Sequence, residues 1–264
     1  MPGLKINNCN YHYEIHGSGT ETIVLSHGLL WSGKMFYKQV EYFKSKYTII
    51  TYDHRGQGQS EVTKNGYDMD SLCDDAVQLL ERLNLKKVIF GGLSMGGFVA
   101  MRLAARRPDL VKSLILMETS AQAEPNTIKY KLLNTAVKLF GVKSVVKPVM
   151  NIMFGDKFLT DPHRDEELKE WANELLNNKK NVVHAVSGVI KRKAVDSELQ
   201  NIKCPTLILV GTQDKATIPE KAEFIHSKIK NSSLKYIEGG GHTACIEEPE
   251  QYNMAIEHFL SHLN

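Results

Sequence analysis

Gly92-Leu93-Ser94-Met95-Gly96 sets one serine between two glycines, straight after the apolar run 88–90 and straight before a helical pattern. A hydroxyl at the tip of so tight a strand-to-helix corner stands clear of the sheet, where it could attack a carbonyl carbon. Such a corner crowds the positions two residues to either side, and glycine relieves the crowding. The same turn would aim the Met95 amide N–H at the attacked group, with the dipole of the following helix behind it. A chance glycine-rich loop could carry the same letters, but the flanking strand and helix argue for the corner.

A serine hydroxyl is a poor nucleophile unless a base takes its proton, and the base needs an orienting acid. His242 ends Gly239-Gly240-Gly241-His242, on a loop after the apolar run 234–237, and is the expected base. His226, His258 and His262 fall within helical patterns and compete poorly. Asp214 closes Gly211-Thr212-Gln213-Asp214 after the run 206–210 and is the expected orienting acid, with Glu118 after 114–117 as its rival. A second oxyanion donor is expected at the Leu29 amide, since Gly28 lets the backbone of that loop approach closely. His27 is read as bracing the loop. The stretch Asp53 to Ser60 lacks the third glycine of a dinucleotide loop and the Gly-Lys-Ser/Thr of a phosphate loop. Asp53 and Arg55 are therefore read as bracing a tight turn.

These residues need a scaffold. Apolar runs at Thr22–Ser26, 47–52, 88–90, 114–117, 206–210 and 234–237 predict buried strands. Helical patterns at 70–83, Met95–Arg106, Pro219–Lys228 and 249–260 alternate with them, which predicts a mostly parallel α/β sheet with helices on both faces. Residues 121–197 break the rhythm with helical patterns at 129–140, 144–154, 164–177 and 181–192. They are expected to form a helical cap inserted into a core made of 1–120 and 198–264. Phe140, Met150, Met153, Phe154, Phe158 and Trp171 would pack that cap onto the core, and some would line a pocket beneath it. The basic tract Lys191-Arg192-Lys193 is read as a solvated surface cluster rather than an anchor for an acidic substrate.

The 33 Lys and Arg barely exceed the 30 Asp and Glu, and no basic stripe stands out, so no nucleic-acid partner is expected. Cys9, Cys73, Cys204 and Cys245 show neither zinc-ligand spacing nor a disulfide framework, and no metal is expected. The first residues contain no signal-peptide core, and no apolar run reaches the roughly 18 residues of a membrane span. A cytoplasmic protein is the expectation. Oligomeric state is not legible.

The segments HGLL, DHRGQGQS, GLSMGG, GTQD and GGGH occur in the order found in the α/β-hydrolase superfamily, and the resemblance spans nearly the whole chain. The stretch 90–116 looks most like 3-oxoadipate enol-lactonases and related carboxylesterases and perhydrolases. The resemblance implies Ser94, Asp214 and His242 as catalytic triad, the Leu29 and Met95 amides as oxyanion hole, and no cofactor. It implies hydrolysis of a small or medium carboxylic ester or lactone through an acyl-enzyme on Ser94. Alternatives are a ligand receptor with vestigial activity, or a perhydrolase or lyase using the same three residues. Serine at the corner sets the chain apart from haloalkane dehalogenases and epoxide hydrolases, which carry aspartate there.

Overall fold

The computed structural model describes residues 3–263. Strands β1 (Gly3–Ile6), β2 (Cys9–His16), β3 (Thr22–Ser26), β4 (Thr48–Tyr52), β5 (Val88–Leu93), β6 (Val111–Met117), β7 (Thr206–Gly211) and β8 (Ser232–Ile237) form one sheet. Their spatial order is β1-β2-β4-β3-β5-β6-β7-β8. From β4 to β8 in that order every pairing is parallel, whereas β2 runs antiparallel to both β1 and β4.

The six predicted strands are present. Four are longer than their apolar runs, two of them by three residues. β5 continues through Gly91 and Gly92 to Leu93, and β6 begins three residues early at Val111. Glycines and a lysine hid these extensions, because neither residue type favours a strand interior. The β1–β2 hairpin was not anticipated. Asn7 and Asn8 form its two-residue turn with φ of 44° and 60°, the left-handed pair that matches the twist of adjoining strands.

Helices cover both faces. On one side Leu72 of α2 (Met69–Arg82), Val99 of α3 (Met95–Arg106) and Ile225 of α9 (Pro219–Lys228) pack with Val24, Phe90 and Ile208 of the sheet. On the other, Val40 of α1 (Tyr37–Phe43) and Ile256 of α11 (Pro249–Ser261) pack with Ile23, Ile89 and Leu207. Adjacent residues 23 and 24, or 89 and 90, thus serve opposite layers, as the pleat requires. Burying each such side chain is worth about 1.5–3 kcal/mol. The short helix α10 (Ala244–Glu247) links the β8 loop to α11.

Between β6 and β7 the described chain contains helices and no strand. These are α4 (Thr127–Phe140), α5 (Val146–Met153), α6 (Asp156–Leu159), α7 (Asp165–Leu176) and α8 (Val183–Ile190). The single helix predicted at 144–154 is a 3-10 turn over Val142–Val145 followed by α5. Met150, Phe154, Phe158 and Trp171 are buried there, but Phe140 points outward. Arg192 is a second departure, being buried rather than solvated. No described helix is long and apolar enough to cross a membrane.

Candidate active site

Ser94 lies at the junction of β5 and α3 with φ 52° and ψ −109°, a conformation that costs a non-glycine residue energy. The surroundings hold it there. Its N–H donates to Met117 O at 2.8 Å, and its carbonyl accepts from the Thr119 hydroxyl at 2.8 Å and the Phe98 N–H at 3.1 Å. The glycines answer to crowding. A Cβ on Gly92 would sit 2.3 Å from Gly96 O, and one on Gly96 would sit 2.0 Å from Ser26 O. Both contacts are with backbone, which cannot swing aside.

His242, on the loop between β8 and α10, reaches this corner. Its Nε2 lies 2.8 Å from Ser94 Oγ, and its Nδ1 lies 2.9 Å from Asp214 Oδ2. A carboxylate accepts, so Nδ1 carries the proton and Nε2 presents its lone pair to the serine. Asp214 follows β7 and is held by three further donors. The N–H groups of Ala216 and Thr217 reach Oδ1 at 2.8 and 2.9 Å, and the Thr217 hydroxyl reaches Oδ2 at 2.7 Å. The Thr217 oxygen is also 3.2 Å from His242 Nδ1. Asp214 and His242 are both buried, while Ser94 keeps partial exposure.

The rival acid sits elsewhere. Glu118 is fully buried, and its Oε2 accepts from the Tyr252 hydroxyl at 2.9 Å. Its Oε1 has no partner among the described residues. Burial, reinforced by the neighbouring charge of Asp214, pushes its carboxyl well above the usual range. The structure therefore brings Asp214, and not Glu118, to the imidazole.

The residues carrying the two expected oxyanion donors lie beside the serine in the cleft or in the chain. Leu29 and Ser94 line one cleft, and Met95 opens α3. Among the described residues neither amide N–H has an acceptor, whereas the next one, on Leu30, donates to Gln57 Oε1 at 2.7 Å. His27 braces this loop from beneath. Its Nε2 accepts from the His54 N–H at 2.8 Å and its Nδ1 donates to Gly28 O at 2.7 Å. Full burial lowers its pKa and keeps the ring neutral. Asp53 accepts from the N–H groups of Gly33 and Gln59, and Arg55 forms a two-pronged pair with buried Asp75. Both are bracing residues, as expected.

The cleft over Ser94 encloses about 950 Å³, counting its part open to solvent. Its wall is built mainly from aliphatic residues of the helical excursion, among them Val137, Val149, Met153, Val182 and Val186. One cation lines it, Arg192, and that cation is neutralised. Its guanidinium donates to Glu124 at 2.7 Å, donates to Gln122 O, and lies 4.3 Å from the Phe98 ring centre. Asn134 adds one polar atom. Its Nδ2 donates to Val183 O and Ser187 Oγ, which fixes the amide, and among the described residues its buried Oδ1 has no donor.

Sequence reasoning missed Thr119, Thr217 and Glu247, which carry no local motif. Glu247 is buried and clamps the histidine loop. Its carboxylate accepts from the N–H of Gly241 at 3.0 Å and of Gly155 at 2.8 Å, and from the Thr243 hydroxyl at 3.0 Å. Burial outweighs these donors and pushes its carboxyl up to about 7.

Residues 21–249 match the model of a family described by the alpha/beta hydrolase fold. A putative carbamate hydrolase RutD of Rhizobium rhizogenes is 28% identical over 94% of this chain and 97% of that protein. 3-Oxoadipate enol-lactonase 2 of Acinetobacter baylyi is 26% identical over 92% of this chain and 89% of that protein. The structure of a thermophilic esterase from Thermogutta terrifontis superimposes with a TM-score of 0.91 at 26% identity, covering 99% of this chain and 98% of that one. With the family match running from the threshold of β3 to the start of α11, the chain belongs to the α/β hydrolases.

Proposed function

We propose that this hydrolase cleaves a carboxylic ester or lactone through an acyl-enzyme on Ser94. The observation that carries the reading is the unbroken hydrogen-bonded chain Ser94–His242–Asp214 opening into an apolar cleft. In this mechanism His242 Nε2 takes the Ser94 proton as Oγ attacks the carbonyl carbon. The Leu29 and Met95 amides hold the developing oxyanion, a role worth about 3–4 kcal/mol per donor. His242 returns the proton to the departing alkoxide. Water, deprotonated by the same nitrogen, then releases the acid and restores Ser94. Asp214 accepts the Nδ1 hydrogen bond and holds the imidazole in the working tautomer.

Residues 121–197 act as the cap and set the acyl preference. Their neutral, aliphatic lining favours an uncharged acyl group, because Arg192 is already satisfied by Glu124. A hydroxyl or amide N–H on the substrate would satisfy Asn134 Oδ1. Relatives named as enol-lactonase and carbamate hydrolase widen the test set to lactones and carbamates, which present the same electrophilic carbonyl. Four free thiols suit the cytoplasm.

The test is turnover of p-nitrophenyl esters across acyl lengths, wild type beside Ser94→Ala. The expected loss is on the order of 10⁴-fold or more with an unchanged unfolding midpoint. Comparable turnover by the folded variant would overturn the mechanism.

A further inference from the structure

Helix α4 has two apolar faces. Its inner face, Tyr130, Leu133, Asn134 and Val137, lines the cleft. The opposite stripe falls at positions i, i+4, i+7 and i+11, Ile128, Leu132, Thr135 and Leu139. There Ile128 is 75% exposed, Leu132 68% and Leu139 60%, and Phe140 at the helix end is 74% exposed. Single exposed apolar residues are ordinary, but a stripe of Ile128, Leu132 and Leu139 interrupted only by Thr135, with Phe140 beside it, marks an interaction surface.

The charges around the stripe have one sign. Lys129, Lys131 and Lys138 lie on α4, Lys143 follows it, and Lys180 packs beside Leu139 O. The helix carries no Asp or Glu. Among the described residues none of these five lysines forms an ion pair, so their charges are not offset by a neighbouring carboxylate. The nearest acid in sequence, Glu124, is turned inward onto Arg192.

We infer that this outer face of α4 docks on an anionic lipid surface. Apolar side chains would enter the interface while lysine stems extend to lipid phosphates, the pattern of helices that lie in the membrane plane. A second copy of the chain fits poorly, since a two-fold axis would set lysines against lysines. A protein partner fits less well too, because protein interfaces are depleted in lysine and α4 offers a convex face rather than a pocket. Docking here sets the cleft directly behind the lipid-facing helix.

Co-sedimentation of the full chain with vesicles tests this without any turnover. Wild type should bind mixed phosphatidylglycerol–phosphatidylcholine vesicles, release in high salt, and ignore pure phosphatidylcholine. Leu132→Ser with Leu139→Ser should weaken binding at least about tenfold, since each buried apolar side chain contributes strongly. Replacing Lys129, Lys131 and Lys138 by Gln should weaken it about fivefold per lysine. All these side chains face solvent, and circular dichroism melts check that the variants stay folded. Absence of wild-type binding to the anionic vesicles overturns the inference, as does undiminished binding by either variant. A solution dimer that Leu132→Ser abolishes would assign the face to a second copy instead.

Discussion

The Ser94 corner and helix α4 border the same cleft but are held in different ways. At the corner, backbone presses on backbone. Gly92, Gly96 and Ser26 leave no room for one extra carbon, and Met117, Thr119 and Phe98 tie down the serine's own peptide groups. On α4, side chains do the positioning. Tyr130, Leu133 and Val137 face the cleft through replaceable apolar contacts, and the far side of the helix is unclaimed. The proposed nucleophile thus rests on geometry that tolerates almost no substitution. The cleft wall rests on volume and polarity, which many residues can supply.

That contrast can be broken most sharply at Asp214. Asp214→Asn should lower kcat by about 10⁴-fold, because the imidazole would be held in the wrong tautomer. Steady-state kinetics measures it, and a fall no larger than that of Glu118→Gln would reassign the orienting acid. Next comes the corner itself. Gly96→Ala should destabilise the protein by about 3 kcal/mol in urea unfolding, since the new carbon has only backbone to displace. An unchanged midpoint would mean that the corner is more yielding than its contacts imply.

Glu247 gives a pH test of comparable size. Its carboxyl rises from the ordinary 4.5 to about 7 on folding. The protonated form is therefore favoured by the folded state. The stability it contributes is complete below pH 4.5 and is lost as pH climbs through 7. That move corresponds to about 3 kcal/mol. Unfolding free energies at pH 5 and pH 8 should differ less for Glu247→Gln than for wild type, while an identical pH slope would remove Glu247 from the account.

Smaller effects belong to the supports and the wall. Thr217→Val removes one hydroxyl bond to Asp214 and should cost about tenfold in kcat with little change in KM. A pure KM effect would argue against a positioning role. Val186→Phe should shift the preferred acyl group to a shorter chain by a few-fold in kcat/KM, leaving acetyl ester turnover nearly unchanged. An unaltered chain-length profile would place the acyl group elsewhere.

The same difference decides what was legible in the sequence. The corner shows itself because steric crowding admits one residue type, so Gly92 and Gly96 stand out as letters. His242 and Asp214 were readable from their loops after apolar runs. Thr217 and Glu247 were not, since their partners are defined by folding rather than spacing. Arg192 misled for a related reason. Its neighbours Lys191 and Lys193 are exposed, and only the fold turns the middle side chain inward to Glu124 and Phe98. The β1–β2 hairpin escaped because β1 is four residues long and mostly outward-facing.

The path of the helical excursion has a historical consequence. It leaves the sheet at the end of β6 and returns at the start of β7, and these two strands are direct neighbours. Their spacing, about 4.8 Å, is independent of what happens between them. Descendants of this gene could lengthen, shorten or exchange the whole excursion without altering one strand pairing. Under the proposed function, selection could then explore new substrates in one part of the chain while the reaction is inherited intact in the other.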